Sequence, residues 1–316
     1  MDERTIVAGW GDGWGIAAPS REAKSAIGFT RFAGSATAPV ISDAWSDSLS
    51  APIRALSLKP LALLTVGGNI YVYALTQSDN RDRTLLFVMP LNASRFTLVA
   101  NSVIRKSVEG LQVVGAVHHK PDLDGAIVLL LAQHGGLQSE ELYVGEPKNR
   151  TVWAARVRPW TLADADQWEW YCGGDSRGRA RWSTAVVRDN VFRTTNGSQV
   201  VPVFHDPRGA GKHVMISRCP SLPGYVLSKT QNGLELGLFR GDTMIGPWRT
   251  LYYGPFVGPG YAPDPCIFTA QVVVNWSYEG ILSLMWSGAP RPAECSDPDS
   301  GNYDAVHLTR FAVERI

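Results

Sequence analysis

Short apolar runs broken by Gly, Pro, Asn and Asp recur along almost the whole chain, and this pattern narrows the possible folds more than any single motif. Helical periodicity is confined to residues 20–28, where Ser20 reads as an N-cap ahead of Glu22-Ala23-Lys24. Elsewhere the runs are short enough for strands, which leaves a sandwich, a barrel or a propeller. They also come in sets. Residues 62–66, a Gly67-Gly68-Asn69 turn and residues 70–75 read as a hairpin, followed by runs at 85–89 and 96–99. The order repeats at 113–117, 126–131, 142–144 with 152–157, and 168–171. It repeats again at 199–204, 213–217, 234–239 and 248–252, and a last set runs 270–275, 281–286 and 305–313.

With an N-terminal strand at 5–10, the chain holds about five four-stranded units of roughly sixty residues, a period that reads as a β-propeller. The expected architecture is an all-β, five-bladed β-propeller. No linker or low-complexity tract divides it, so residues 1–316 are expected to form one domain. A two-sheet sandwich is the alternative, but so many strand signals would make it unusually large.

Charge excludes some functions. Lys+Arg 30 against Asp+Glu 29 leaves a net charge of +1 with no basic run, so a nucleic-acid backbone has no electrostatic footprint here. No apolar run approaches the ~20 residues of a helical membrane span. Two features point outside the cell. N-x-S/T sequons stand at Asn92, Asn149, Asn196 and Asn275, which marks an expected glycoprotein. Cys172, Cys219, Cys266 and Cys295 lack C-x-x-C spacing and His partners, which argues against zinc. Pairing as Cys266–Cys295 and Cys172–Cys219 is the expectation, with buried free thiols as the alternative. The Met1-Asp-Glu start carries no signal-like segment, so the chain reads as a secreted protein whose signal peptide has been replaced by a start Met.

Chemistry is densest at residues 8–15, Ala-Gly-Trp-Gly-Asp-Gly-Trp-Gly. Asp12 sits among glycines that let a backbone approach a ligand, between the indoles of Trp10 and Trp14. An acid among small residues and flat faces suits a sugar pocket; a glycine-rich strand end with two core tryptophans is the plainer reading. His118-His119 follow one expected inner strand, and His205-Asp206 follow the run 199–204. A His beside an acid can bind sugar hydroxyls or simply close a turn. Glu235, alternating within 234–239, reads as a solvated-face residue, and Asp264 as a structural turn. No G-x-S-x-G elbow or H-E-x-x-H helix occurs, and no cofactor is expected. The run Asp297-Pro298-Asp299-Ser300-Gly301-Asn302 offers oxygen ligands for calcium but reads more simply as an exposed acidic turn.

A family resemblance gathers these points. Met244-Ile245-Gly246-Pro247-Trp248 resembles the "GPW" turn on the outer edges of five-bladed glycosidase propellers. Gly11-Asp12-Gly13-Trp14-Gly15 resembles the Gly-Asp-Thr-(aromatic)-Gly element opening the first blade of a family formerly of unknown function. That family includes the endo-D-arabinanases, glycoside hydrolase family 183. Phe268-Thr269-Ala270-Gln271 to Trp276, Leu282 to Gly288 and Tyr303-Asp304-Ala305-Val306-His307-Leu308 are similar to its closing blade. Gly13 departs from its usual Thr.

The resemblance implies an inverting hydrolysis of a furanoside polysaccharide by two carboxylates, one a base and one an acid. Asp12 is the expected base. The second acid should lie in the loop after the first strand, where Ser42-Asp43-Ala44-Trp45-Ser46-Asp47 is the nearest match; Asp43 is the expected acid and Asp47 its substitute. Trp10, Trp14 and Trp45 would stack on sugar, with Asp47, His118 and His205 as further substrate contacts. The expected partner is a polysaccharide or oligosaccharide bound by a monomer, with no nucleic acid and no membrane. The rival class is a carbohydrate-binding propeller lectin, or a hydrolase homologue without activity.

Overall fold

The computed structural model describes residues 6–10, 28–35, 38–45, 58–76, 83–93, 96–99, 111–118, 126–133, 150–188, 191–209, 214–218, 222–231, 235–255, 266–273, 277–278, 280–289 and 305–312. Five antiparallel sheets follow one another along the chain. The first holds β1 (Ile6–Trp10), β2 (Gly28–Ser35) and β3 (Ala38–Trp45). The second runs β4 (Leu58–Val66), β5 (Asn69–Thr76), β6 (Arg83–Pro90) and β7 (Thr97–Leu98). The third starts with β8 (Leu111–His118), β9 (Ile127–Gln133), β10 (Thr151–Val157) and β11 (Glu169–Gly174). A hairpin of β12 (Ala180–Arg188) and β13 (Val191–Thr194) widens that sheet, and β14 (Phe204–His205) pairs with β10. The fourth is β15 (Val214–Arg218), β16 (Tyr225–Gln231), β17 (Glu235–Gly241) and β18 (Trp248–Pro255). The fifth is β19 (Cys266–Val272), β20 (Ile281–Ala289) and β21 (Ala305–Ala312).

The first strands of successive sheets meet: β1 packs on β4, β4 on β8, β8 on β15, and β15 with β16 on β19. This is a five-bladed β-propeller with each blade entered on its innermost strand. Helix is limited, among the described residues, to two single 3-10 turns at Pro159–Thr161 and Ala165–Gln167.

Burial on both faces explains why the runs are apolar rather than alternating. Successive strand residues point to opposite faces. Along β9, Ile127, Leu129 and Leu131 enter the core shared with the second blade, where Ala62, Leu64, Tyr73 and Leu86 wait. Val128, Leu130 and Ala132 enter the core shared with the fourth blade, against Val214, Ile216 and Leu227. A third core joins Val226, Leu236 and Leu238 to Val272, Leu282, Leu284 and Trp286 of the fifth. Each fully buried aliphatic or aromatic side chain is worth roughly 1.5–3 kcal/mol, so the seams between blades hold the ring segments together. Polar pins cross them: the Tyr73 hydroxyl donates to the Leu162 carbonyl at 2.8 Å, and the Ser228 hydroxyl to the Ala270 carbonyl at 3.1 Å.

Local chemistry accounts for the best-read element. Gly67 (φ 57°) and Gly68 (φ 79°) join the paired residues Val66 and Asn69, and two successive positive φ values make the tight turn that glycine accepts without strain.

The structure departs from the expected pattern in four places. The first and fifth blades carry three strands each among the described residues, and the third carries the extra β12–β13 hairpin. Residues 28–35 and 38–45 are strands, whereas the second of these spans part of the expected acidic loop; residues 20–27 of the expected helix lie outside the described residues. The run 199–204 contributes only the two-residue β14, and the fourth blade instead begins with β15 and includes β16. Tyr225–Gln231 hides from pattern reading because its Ser228, Lys229 and Thr230 are polar yet buried. Finally, Cys172 is a free thiol, so the Cys172–Cys219 pairing is ruled out. β11 turns it to the same buried face as Trp170, where its Sγ contacts the Trp170 carbonyl at 3.3 Å.

Candidate functional site

Because every blade is entered from inside, the starts of the innermost strands gather at one end of the propeller and their finishes at the other. Trp10 is the last residue of β1 and His118 the last of β8, so both backbones lie at the finishing end. β3 runs parallel to β1, and the register row Gly9–Phe29–Trp45 puts Trp45 at this end as well. Asp43 lies deeper in the sheet. It occupies the row Val7–Arg31–Asp43, two strands out from β1 and opposite Arg31, rather than in a loop. Two strand spacings put its backbone about 10 Å from that of β1. Asp12, Trp14 and Asp47 lie outside the described residues, as do Asp264 and residues 297–302.

His205 belongs elsewhere. β14 pairs with β10 at Thr151↔His205, and the neighbouring row Gln112–Ala132–Val152–Phe204 ties this position to the start of β8. From there to His118 the strand covers about 20 Å. The backbones of Trp10, Trp45 and His118 thus lie at the finishing ends of their blades' strands, and that of His205 at the starting end. His205 is exposed and its Nδ1 shares a hydrogen bond with the Thr151 hydroxyl at 3.1 Å.

At this starting end the fold assembles a buried charge cluster. Lys229 on β16 is 0 % exposed in its side chain and ion-pairs with Asp206, the residue after β14. Its ammonium also donates to the Gly209 carbonyl at 2.5 Å and to the Tyr253 hydroxyl at 3.1 Å. Tyr253 donates in turn to Asp206 Oδ2 at 2.7 Å, and the Arg208 backbone N–H donates to Asp206 Oδ1 at 2.9 Å. Arg208 stacks on the Tyr253 ring at 3.7 Å and pairs with Glu235 at 2.9 Å. Glu235 is thus an ion-pair partner beside the cluster rather than a freely solvated acid.

The titration of these groups follows from their surroundings. Burial would raise the Asp206 carboxyl, but hydrogen bonds from Lys229, Tyr253 and the Arg208 N–H hold it below its ordinary value. Burial lowers the Lys229 ammonium, and Asp206 offsets only part of that. Burial first, and then donation to Asp206, push the Tyr253 phenol well above its ordinary value. Every proton of the ammonium has an acceptor, so the arrangement ties β14, β16 and β18 together and leaves no group free to act on a substrate. Among the described residues no three His, Cys, Asp or Glu side chains are grouped to hold a metal ion.

Pattern reading picked out His205-Asp206 by adjacency. It missed Lys229 and Tyr253, which carry no local signal, since Lys229 stands in the polar stretch Ser228-Lys229-Thr230-Gln231.

No family model matches the chain, and no curated protein matches it in sequence. Solved structures do match in fold. RS223-Beta-xylosidase superposes with a TM-score of 0.52 at 12% identity, covering 100% of this chain and 90% of its own. A GH43 enzyme from Xanthomonas citri gives 0.49 at 13% identity over 92% of this chain and 79% of its own. An endo-arabinase from Bacteroides thetaiotaomicron gives 0.43 at 14% identity over 92% and 87%. At 12% identity the likeness to RS223-Beta-xylosidase speaks for the fold alone, and the site has to be argued from this chain's own residues.

Proposed function

We propose that the protein is a glycoside hydrolase that cuts a furanoside polysaccharide at the finishing end of its innermost strands. The observation that carries this reading is the position of β1. It is the innermost strand of its blade, and it ends on Trp10, two residues before Asp12, at the end of the propeller where β8 ends on His118. Asp12 acts as the base that activates water, and a second carboxyl protonates the leaving oxygen. Asp43 and Asp47 are the two choices for that acid. Asp47 follows β3 by two residues in sequence, whereas Asp43 sits within the strand opposite Arg31, so Asp43→Asn and Asp47→Asn tell them apart. Trp10, Trp14 and Trp45 supply the flat apolar faces on which sugar rings stack. The setting in the cell is extracellular, with the chain acting as a monomer and one domain, as the sequons and the unbroken blade pattern suggest.

The test is to incubate the purified protein with arabinogalactan, linear arabinan and xylan and to assay new reducing ends. Release from arabinogalactan or linear arabinan that disappears in Asp12→Asn supports the reading, and release from xylan alone, a pyranoside, counts against a furanoside substrate. No product from any of the three defeats it.

A second reading has its own support. Gly13 stands where the resembling family has Thr, and Asp43 pairs in register with Arg31 inside β3. Both fit a propeller lectin that holds sugar without cleaving it. Glycan binding that survives Asp12→Asn, with no product formed, favours the lectin.

A further inference from the structure

Trp160 is 80 % exposed. The other tryptophans whose side-chain burial is described, at 153, 168, 170, 182, 248 and 286, are buried or half-buried. An indole left in water forgoes the free energy that burying its large apolar face would release. Packing therefore does not explain why this one stands outside.

Its mount is rigid. Trp160 is the middle residue of the 3-10 turn Pro159–Thr161, and the proline ring fixes φ at the start of that turn. The Thr161 N–H donates to the Arg158 carbonyl at 2.9 Å, and the Arg158 N–H donates to the Thr161 hydroxyl at 3.1 Å. Trp168 Nε1 donates to the Thr161 carbonyl at 2.9 Å. The next residue, Leu162, is buried in the core shared by the second and third blades, where the Tyr73 hydroxyl donates to its carbonyl. A side chain carried on a backbone already held in place loses less conformational freedom when a ligand binds it.

Its position is at the finishing end. The register row His118–Ile127–Val157 joins the last residue of β8 to the last of β10. Two strand spacings put Val157 about 10 Å from His118, and the three residues on to Trp160 reach at most about 10 Å further. The indole thus belongs to the end of the propeller where Trp10 and His118 lie, a few linked sugar rings from the latter.

Its company favours a sugar over a protein. The exposed residues that follow in the same connection are Asp164, Asp166 and Gln167, which offer hydrogen bonds and no further apolar face. A protein partner needs a contiguous apolar patch inside a polar rim. One flat apolar face with polar groups after it matches a sugar ring, whose C–H face stacks while its hydroxyls stay hydrogen-bonded.

We propose that Trp160 is a stacking platform for a sugar ring of the polysaccharide, an outer binding subsite on the third blade at the end of the propeller where Trp10 and His118 lie. The inference rests on the carbohydrate reading above but does not need cleavage.

Calorimetric titration of the full chain with linear arabinan and with arabinogalactan tests it, in the wild type and in an Asp12→Asn background that leaves the polymer intact. Trp160→Ala and Trp160→Phe are measured beside each, with thermal unfolding of all. The expected result is binding of at least one polymer, an affinity loss of about tenfold in Trp160→Ala, retention of most of the affinity in Trp160→Phe, and an unchanged Tm in both. Absence of binding to either polymer overturns the proposal, as does equal affinity in Trp160→Ala. A lowered Tm in Trp160→Ala would make the indole a structural contact and also overturns it. So does sedimentation showing a wild-type dimer that Trp160→Ala dissociates with sugar affinity intact, because the indole would then serve a second copy of the chain. Binding that depends on Trp160 in a protein releasing no reducing ends sinks the hydrolase and leaves the platform standing. Release of reducing ends with affinity unchanged in Trp160→Ala does the opposite.

Discussion

The two ends of the innermost strands are built by different means. Where β1 and β8 finish, the notable residues are close in sequence: Trp10 beside Asp12, and His118 beside His119. Where β8 and β15 start, they come from far apart: Asp206 from after β14, Lys229 from β16 and Tyr253 from β18. The sequence that runs on from the end of β1 is rich in acidic, indole and glycine residues. The second end has a fully paired ion cluster that locks the third blade to the fourth. A charge cluster is therefore a poor guide to the working end of this propeller, because buried pairs are as often structural as functional.

Changes at the two ends should separate activity from stability. Asp12→Asn is expected to lower turnover by about 10²–10⁴-fold, the usual worth of a general acid or base, while leaving Tm within the spread of the wild type. Steady-state assay and thermal melts on the same preparation check both halves, and a large fall in Tm would erase the contrast. Lys229→Met should cost about 3–5 kcal/mol in denaturant unfolding, because it strands the Asp206 carboxylate in a buried site. Combining it with Asp206→Leu should recover part of that loss. A single-variant loss under about 1 kcal/mol would mean that water reaches the cluster.

Gly115→Ala should cost about 1–3 kcal/mol by overpacking, since its methyl group would collide with the Val214 backbone at the seam. An unchanged denaturation midpoint would show that β8 and β15 can part without penalty. The smallest effect is in pH. The folded-state value of Asp206 lies below its unfolded value, so its contribution is complete above about pH 4 and is lost as pH falls through the folded value. Asp206→Asn should flatten the acid limb of the stability curve. Tyr253 carries the opposite sign: its folded value is raised, so its contribution is complete below about pH 10 and is lost progressively as pH rises from there through the folded value. Tyr253→Phe should flatten the alkaline limb, and melts from pH 3 to 11 read both.

Legibility followed sequence distance. The β4–β5 hairpin, the runs of β8, β9 and β20 and the five-unit count were readable, because two-face burial writes itself as unbroken Val, Leu and Ile and the Gly67-Gly68 turn requires positive φ. β2 and β3 were not, since Gly28, Gly34, Pro39, Ser42 and Asp43 break the apolar run that marks a buried strand. The Cys172–Cys219 pairing failed for a related reason: spacing along the chain says nothing about which face of β11 a thiol occupies.

By itself, then, the amino-acid order determined an all-β propeller of five blades, because turn conformation and period-two burial are local properties of a strand and its neighbours. It also located the acid and indole cluster around Asp12. The tertiary structure alone decided that Asp206 meets Lys229 and Tyr253 and that Asp43 stands opposite Arg31. Those outcomes depend on which strands become neighbours across a sheet or a seam, and an ammonium is tolerated in an interior only by what the rest of the chain brings to it.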